Sequence, residues 1–159
     1  GIDRTPPGMS QRIGNYLEGF FALDMGNQNK LPLTDYKKNR DYMITQNGED
    51  HQVDMLALPS KWVQKYVHRE LKTNTDLDRG KKRDTCRREE AITSWMDEKG
   101  WEYDSGVFCP FFYNKGKKVA GLGWVDGIDW YIETFQPTWS KEDFIDMGRN
   151  PIVHTAIGL

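Results

Sequence analysis

The hydrophobic pattern changes character after residue 100, and this change determines the fold that the sequence predicts. Before it, apolar residues recur at spacings of three and four, which is typical of amphipathic helices. The pattern predicts helices at Ser10–Met25, Ser60–Leu71 and Asp84–Lys99. After it come three runs rich in aromatic and β-branched residues, separated by short turns, at Val107–Tyr113, Val119–Val125 and Ile128–Phe135. Such runs predict the three strands of an antiparallel meander.

These elements define the predicted fold class. We expect an α+β fold in which a helical N-terminal two-thirds packs on the three-stranded antiparallel β-meander, with a short closing helix at Ser140–Met147. The segment Val53–Leu58 fits a short helix and a strand equally well. The expected core consists of Phe20, Phe21, Val63, Val67, Ile92, Trp95, Trp124 and Phe144.

The length of 159 residues predicts one domain. We expect residues 1–8, which precede Met9, to be a cloning remnant or a flexible tail, and residues 9–159 to form a single globular domain. The chain contains no run of 18 apolar residues and no export signal, and its two cysteines are too few for a disulfide framework. These features predict a soluble cytoplasmic protein that does not interact with membranes.

Charge is distributed unevenly along the chain. Residues 61–90 carry ten basic and six acidic groups, a net charge of +4, whereas residues 91–159 carry six and ten, a net charge of −4. A basic cluster is expected at a loop and a helix N-terminus, where phosphates bind both cations and free backbone amides. Its members are Arg79, Lys81, Lys82, Arg83, Arg87 and Arg88. Five acidic residues surround this cluster and are expected to pair with its basic residues. We therefore expect any binding of nucleic acid to be weak.

The aromatic rings of the predicted meander are a second candidate binding surface. If exposed, Trp124, Trp130 and Tyr131 could stack on bases or hold a peptide. If the predicted helices cover the sheet, the same rings belong to the core, which is the outcome we expect for most of them.

The chain lacks the spacing patterns that identify common metal and catalytic sites. It has no Cys-x-x-Cys, no His-Glu-x-x-His, no nucleophile elbow, no phosphate loop and no dinucleotide fingerprint. His68 and Glu70 are two positions apart on a predicted helix and would not share a face. Asp126, Asp129 and Glu133 could supply oxygen ligands to a divalent cation, but a polar turn explains them more simply. We therefore predict no catalytic residue, no cofactor and no metal ion.

One local stretch carries a resemblance. The sequence Ala120-Gly121-Leu122, followed by Gly127-Ile128-Asp129 and Tyr131 and preceded by Tyr113, resembles part of the phage S-adenosylmethionine-degrading enzymes. It covers about 20 residues, and the rest of the chain does not follow that family. The resemblance implies a phage protein that is a small-molecule enzyme with its site at the sheet, and no catalytic residue is carried over from it.

Three classes of function are therefore open. We favour a non-enzymatic binding or regulatory protein that acts through a protein–protein interface, because large aromatic residues are enriched at such interfaces. The first alternative is a nucleic-acid-binding module that uses the basic segment 79–88. The second alternative is the small-molecule enzyme.

Overall fold

The computed structural model describes residues 20–21, 42–59, 64–72, 79–110, 116–140 and 142. Phe20 and Phe21 are helical, in agreement with the first predicted helix, whose other residues lie outside the described part of the chain. The predictions for residues 1–8, for Val63 and Phe144, and for most of the closing helix Ser140–Met147 also lie outside it.

The described residues form seven strands and two helices of more than one turn. In chain order these are β1 Tyr42–Gln46, β2 Glu49–Val53, β3 Met55–Ala57, β4 Tyr66–Leu71, α1 Arg79–Glu98, β5 Tyr103–Phe108, β6 Lys117–Val119, β7 Gly123–Asp126 and α2 Ile128–Phe135.

Five of the strands form a mixed sheet in the order β3-β4-β5-β7-β6. The three central strands β4, β5 and β7 run parallel, and the two edge strands pair antiparallel with their neighbours. The strands β1 and β2 form a separate antiparallel hairpin. Its turn is Asn47-Gly48, where both residues have positive φ, 52° and 79°, as a two-residue hairpin turn requires.

The predicted helical two-thirds is wrong, and the clearest correction is at β4. Within the predicted helix Ser60–Leu71, residues 66–71 form the strand β4. The apolar residues Val67 and Leu71 are four positions apart, which suits one helix face but also one face of a strand. The polar residues between them, His68, Arg69 and Glu70, are buried, and each contacts side chains of other elements.

The predicted three-stranded meander is also wrong. The segment Ile128–Phe135 is the helix α2, in which Ile128, Tyr131 and Phe135 form a buried stripe at helical spacing. The strands β5 and β7 pair in parallel, because a connection that includes β6 returns the chain to the same end of the sheet. Part of the open segment Val53–Leu58 is the strand β3. The predicted helix Asp84–Lys99 is confirmed in α1, which begins five residues earlier.

The two helices cover opposite faces of the mixed sheet, and the alternation along β3 shows this. Met55 and Ala57 belong to a buried cluster with the α2 residues Tyr131 and Phe135. Leu56, between them, packs in a second cluster with Ile44 and Val53 of the hairpin and with Ile92 and Met96 of α1. None of the helices in the described part of the chain has the length and apolar character needed to cross a bilayer.

Candidate functional site

Two carboxylates from neighbouring chain segments meet at the bend between β2 and β3. The antiparallel register pairs Met55 with Arg69, so it brings the preceding residue Asp54 next to Glu70. The Leu71 backbone N–H donates a hydrogen bond to Asp54 Oδ2 at 2.9 Å, which fixes this position. Residues that face each other across strands have Cβ atoms about 4.5–5.5 Å apart, so the two carboxylates share one site.

The environment shifts the pKa values of the two carboxylates in opposite directions. Burial and the charge of Glu70 raise the pKa of Asp54 from 3.8 to about 7. Burial also acts to raise the pKa of Glu70, but the neighbouring His68 and the Arg88 cation outweigh it and hold that pKa below its usual value. Glu70 is therefore the ionised member of the pair, and Asp54 carries the electrostatic cost of the close approach.

Glu70 has one satisfied and one unsatisfied oxygen. Arg88 Nη1, from α1, donates to Glu70 Oε2 at 3.1 Å. The other oxygen, Oε1, lies 3.4 Å from His68 Nε2, but both atoms lack a hydrogen-bond partner among the described residues. The second His68 nitrogen, Nδ1, shares a hydrogen bond of 2.7 Å with Ser105 Oγ. The two atoms without a hydrogen bond therefore face each other, and their contact is an ion pair when His68 is protonated.

Lys72 lies on the same side of β4 as Glu70, because side chains two positions apart share a strand face. Its backbone N–H donates to Phe108 O at 2.9 Å, so the strand pairing continues through this residue. The Lys72 charge acts to lower the pKa of both Asp54 and Glu70. We call Asp54, Glu70 and Lys72, with the flanking His68 and Arg88, the carboxylate site.

A divalent cation is the ligand class that this arrangement fits. Mg²⁺ is commonly held by one or two carboxylates, with water and substrate phosphate completing its coordination. Asp54 and Glu70 supply that number of carboxylates. The described residues contain no group of three or more His, Cys, Asp or Glu side chains placed to hold a metal ion, so a fully protein-built cage is not present among them.

The structure divides the predicted basic cluster into outward-facing and inward-facing members. The outward members Arg79, Lys81, Arg83 and Arg87 are exposed on α1 rather than in a loop. Arg88 instead points into the carboxylate site, with its side chain 33% exposed. Lys82 is half-buried and donates from Nζ to Ala120 O at 2.6 Å, which joins the start of α1 to the β6–β7 turn.

The three aromatic candidates have different surroundings. Trp124 is 60% exposed, so its predicted place in the core is wrong and it meets the condition set for a binding surface. Tyr131 is fully buried and does not meet it, although it lies in the stretch that resembles the phage enzymes. Trp130 is half-buried, with the Arg69 guanidinium carbon 4.3 Å from its ring centre. Asp126, a cation-ligand candidate in the sequence, accepts hydrogen bonds from Arg69 and Trp124.

An open groove of about 350 Å³ runs between the hairpin and the first half of α1. Arg87 and Arg88 line it together with His51, but so do acidic residues of both elements, so it is not a strongly positive surface. Its lining residues are Met43, Glu49, Asp50, His51, Gln52, Asp84, Arg87 and Arg88.

Sequence reasoning missed the carboxylate site because it placed residues 66–71 on a helix. On a helix His68 and Glu70 face different ways, whereas on β4 they lie on one face. If residues 66–71 had been read as a strand, the spacing of Glu70 and Lys72 would have placed an acid and a base on one face at its end. Comparisons of the chain with models of protein families, with curated proteins and with solved structures gave no match.

Proposed function

We propose that the protein is a divalent-cation-dependent nuclease, an enzyme that hydrolyses phosphodiester bonds in nucleic acid. The observation that carries this proposal is the pair Asp54 and Glu70, two adjacent carboxylates, one half-buried and one fully buried, with Lys72 beside them.

A purely structural role explains only half of this pair. Glu70 is compensated by Arg88, as buried ion pairs in protein cores are. Asp54 has a backbone hydrogen bond, but burial and the nearby charge of Glu70 disfavour its ionised form and raise its pKa. Strongly perturbed carboxylates of this kind cluster at functional sites. A divalent cation between the two groups would remove the repulsion between the carboxylates, and Glu70 Oε1 would coordinate it.

The surrounding charges favour a phosphate ester as substrate. The first turn of α1 contains no acidic residue, and its N-terminal amides and the cations of the segment 79–83 suit a polyanion. This proposal takes up the nucleic-acid alternative of the sequence analysis; its support is that the segment 79–83 lies on the helix that contributes Arg88 to the carboxylate site.

The chemistry of the proposed reaction follows from these residues. A cation held by Asp54 and Glu70 would polarise a phosphate oxygen and lower the pKa of a bound water. The water oxygen would form a bond to phosphorus as the ester P–O bond breaks; the water would lose a proton to solvent, and the departing ester oxygen would take up a proton from solvent and leave as a hydroxyl group. The Lys72 ammonium group stabilises the negative charge that develops on the phosphate.

The protein–protein interface remains a second proposal, and a specific observation favours it. Trp124 and Met43 are the large apolar side chains that the described residues leave exposed, at 60% and 53%. Exposed aromatic and methionine side chains are typical of interface cores. A binding protein of this kind would not require the carboxylate site.

A cleavage assay tests the nuclease proposal. Labelled single-stranded and double-stranded DNA and RNA are incubated with Mg²⁺ or Mn²⁺, and with EDTA as the metal-free control. We expect cleavage that EDTA abolishes and that Asp54→Asn, Glu70→Gln and Lys72→Ala each reduce by about 100-fold or more. Glu133→Gln, a change of an exposed acid on α2, is the matched control and should retain the wild-type rate. Absence of cleavage with every substrate and metal, or full activity in Asp54→Asn, would contradict the proposal.

A further inference from the structure

Trp124 is an exposed ring that the structure nevertheless holds in one orientation. Its Nε1 donates to Asp126 Oδ1 at 3.2 Å, and Asp126 Oδ2 accepts from Arg69 Nε at 3.0 Å. The ring also lies against Gly116, where an added Cβ would be 2.9 Å from Trp124 Nε1. Trp124 belongs to none of the buried clusters among the described residues. The ring is therefore preorganised at the surface without contributing to the core.

The edge strand β6 has one lysine on the face of this ring and a second lysine on the opposite face. Lys118 is paired with Trp124 in the register of β6 and β7, and Lys117 is paired with Val125. Both lysines are exposed. Because neighbouring strand residues point to opposite faces, Lys118 shares the face of Trp124, whereas Lys117 shares the face that α1 covers.

The edge of the sheet is continuous with the basic start of α1. Lys82 donates to Ala120 O at 2.6 Å, and Cys86 Sγ approaches Gly121 O at 3.3 Å, so the helix lies against the β6–β7 turn. The exposed cations of the segment 79–83 therefore continue the positive charge of Lys117 and Lys118.

The same row of residues connects this edge to the carboxylate site. The register places Glu70 beside Val107, Val107 beside Val125 and Val125 beside Lys117. Three strand spacings of about 4.8 Å separate Lys117 from Glu70, or about 14 Å. Val107 and Val125 are buried beneath α1, so a nucleic-acid strand that reaches both ends of this row passes over the outside of the helix.

We propose that Trp124, Lys117 and Lys118 form a docking surface for single-stranded nucleic acid, with one base stacked on Trp124 and the flanking phosphates on the lysines. This proposal rests on the proposed function and specifies its substrate as nucleic acid with an unpaired strand. A single strand is favoured because its bases have free faces for stacking, whereas the bases of a duplex are stacked on each other. The strand passes round the β6 edge toward the carboxylate site.

Binding of fluorescent oligonucleotides tests this surface. The probes are a 12-nucleotide oligothymidine and a 12-base-pair duplex, measured by anisotropy in EDTA so that no cleavage occurs. We expect Trp124→Ala to weaken binding of the oligothymidine about tenfold, within the range found for loss of one stacked base. Trp124→Phe, which keeps a ring, should weaken it less. The affinity for the duplex should change less than twofold.

The controls separate this proposal from the proposed function. Met43→Ala removes the other exposed large apolar side chain and should leave the oligothymidine affinity unchanged. Thermal melting of each variant shows whether it is folded, and Trp124→Phe provides the test if Trp124→Ala is not. If the wild-type protein cleaves nucleic acid but Trp124→Ala binds oligothymidine normally, this docking surface is wrong and the ring is available to a protein partner. If the wild-type protein neither binds nor cleaves nucleic acid, both proposals fail.

Discussion

Replacing Asp54 by asparagine should make the protein more stable when no divalent cation is present. In the folded protein, burial and the charge of Glu70 raise the pKa of Asp54 from 3.8 to about 7. An acid whose folded pKa is raised favours folding while it is neutral, at low pH. That contribution is lost as the pH rises from about 4 to about 7. Above pH 7 Asp54 of the wild-type protein is therefore ionised, although its burial and the charge of Glu70 disfavour that form.

The shift sets the size of the expected effect. Three pH units correspond to about 4 kcal/mol, at about 1.4 kcal/mol per unit. Asparagine still has to be desolvated, and its oxygen keeps the hydrogen bond from the Leu71 backbone N–H. We therefore expect Asp54→Asn to gain about 2 kcal/mol in the free energy of unfolding at pH 8. For a domain of this length that is a rise of about 4–8 °C in melting temperature.

Thermal melting in EDTA and in 10 mM Mg²⁺ measures both parts of this prediction. The gain of Asp54→Asn over wild type should grow between pH 4 and pH 7 and then level off. A cation bound with a dissociation constant of about 1 mM should stabilise the wild-type protein by about 1.4 kcal/mol and should not stabilise Asp54→Asn. Glu133→Gln removes the same charge from an exposed position, so it should show no gain in EDTA and should keep the wild-type stabilisation by Mg²⁺. A less stable Asp54→Asn, or equal Mg²⁺ stabilisation of wild type and variant, would refute the reasoning.

Two further predictions concern neighbours of the proposed sites. Arg88→Met should lower the free energy of unfolding, measured in urea, by about 2–3 kcal/mol, because it leaves Glu70 buried without its cation. The Arg88 side chain is 33% exposed, so the loss is smaller than for a fully buried pair. An unchanged urea midpoint would argue against the ion pair. Gly116→Ala should lower the free energy of unfolding by about 1–3 kcal/mol, because the new Cβ would lie 2.7 Å from Val125 O. A variant with the melting temperature of the wild-type protein would show that this contact is not tight.

The sequence predicts those elements whose pattern allows only one local structure. The helix α1 was predicted because Ile92 and Met96 form one apolar face of a long segment. The residue pair Asn47-Gly48 is a turn signal in the sequence, and both residues have the positive φ that the hairpin turn requires. The strand β4 was not predicted, since its apolar residues fit both periodicities and its polar residues are buried by partners distant in sequence.

The helix α2 shows a different reason for error. Its sequence is rich in aromatic and β-branched residues, which favour strands, and this preference concealed a stripe at helical spacing. Burial of Ile128, Tyr131 and Phe135 against the sheet outweighs the local preference. Tertiary packing of this kind is not visible in the composition of an eight-residue segment.

The carboxylate site could not be predicted without the strand register. Asp54 and Glu70 are separated by the segment 55–69, and only the antiparallel pairing of β3 with β4 brings them together. With β4 read as a helix, neither the shared face of Glu70 and Lys72 nor the proximity of Asp54 could be inferred. The basic segment 79–88 was recognised, but the inward direction of Arg88 depends on the position of α1 over the sheet.

Adjacent residues of β4 differ in how completely their buried charges are paired. Arg69 is 3% exposed and is fully engaged on its face of the sheet. It donates to the side chains of Asp126 and Asp104 and to the backbone oxygens of His68 and Asp104. Glu70, the next residue, is completely buried on the opposite face, yet its Oε1 has no hydrogen-bond partner among the described residues. Glu70 is thus held by two ionic contacts, to Arg88 and to His68, where Arg69 has four hydrogen bonds, and this weaker network is what the Glu70→Gln variant of the cleavage assay tests.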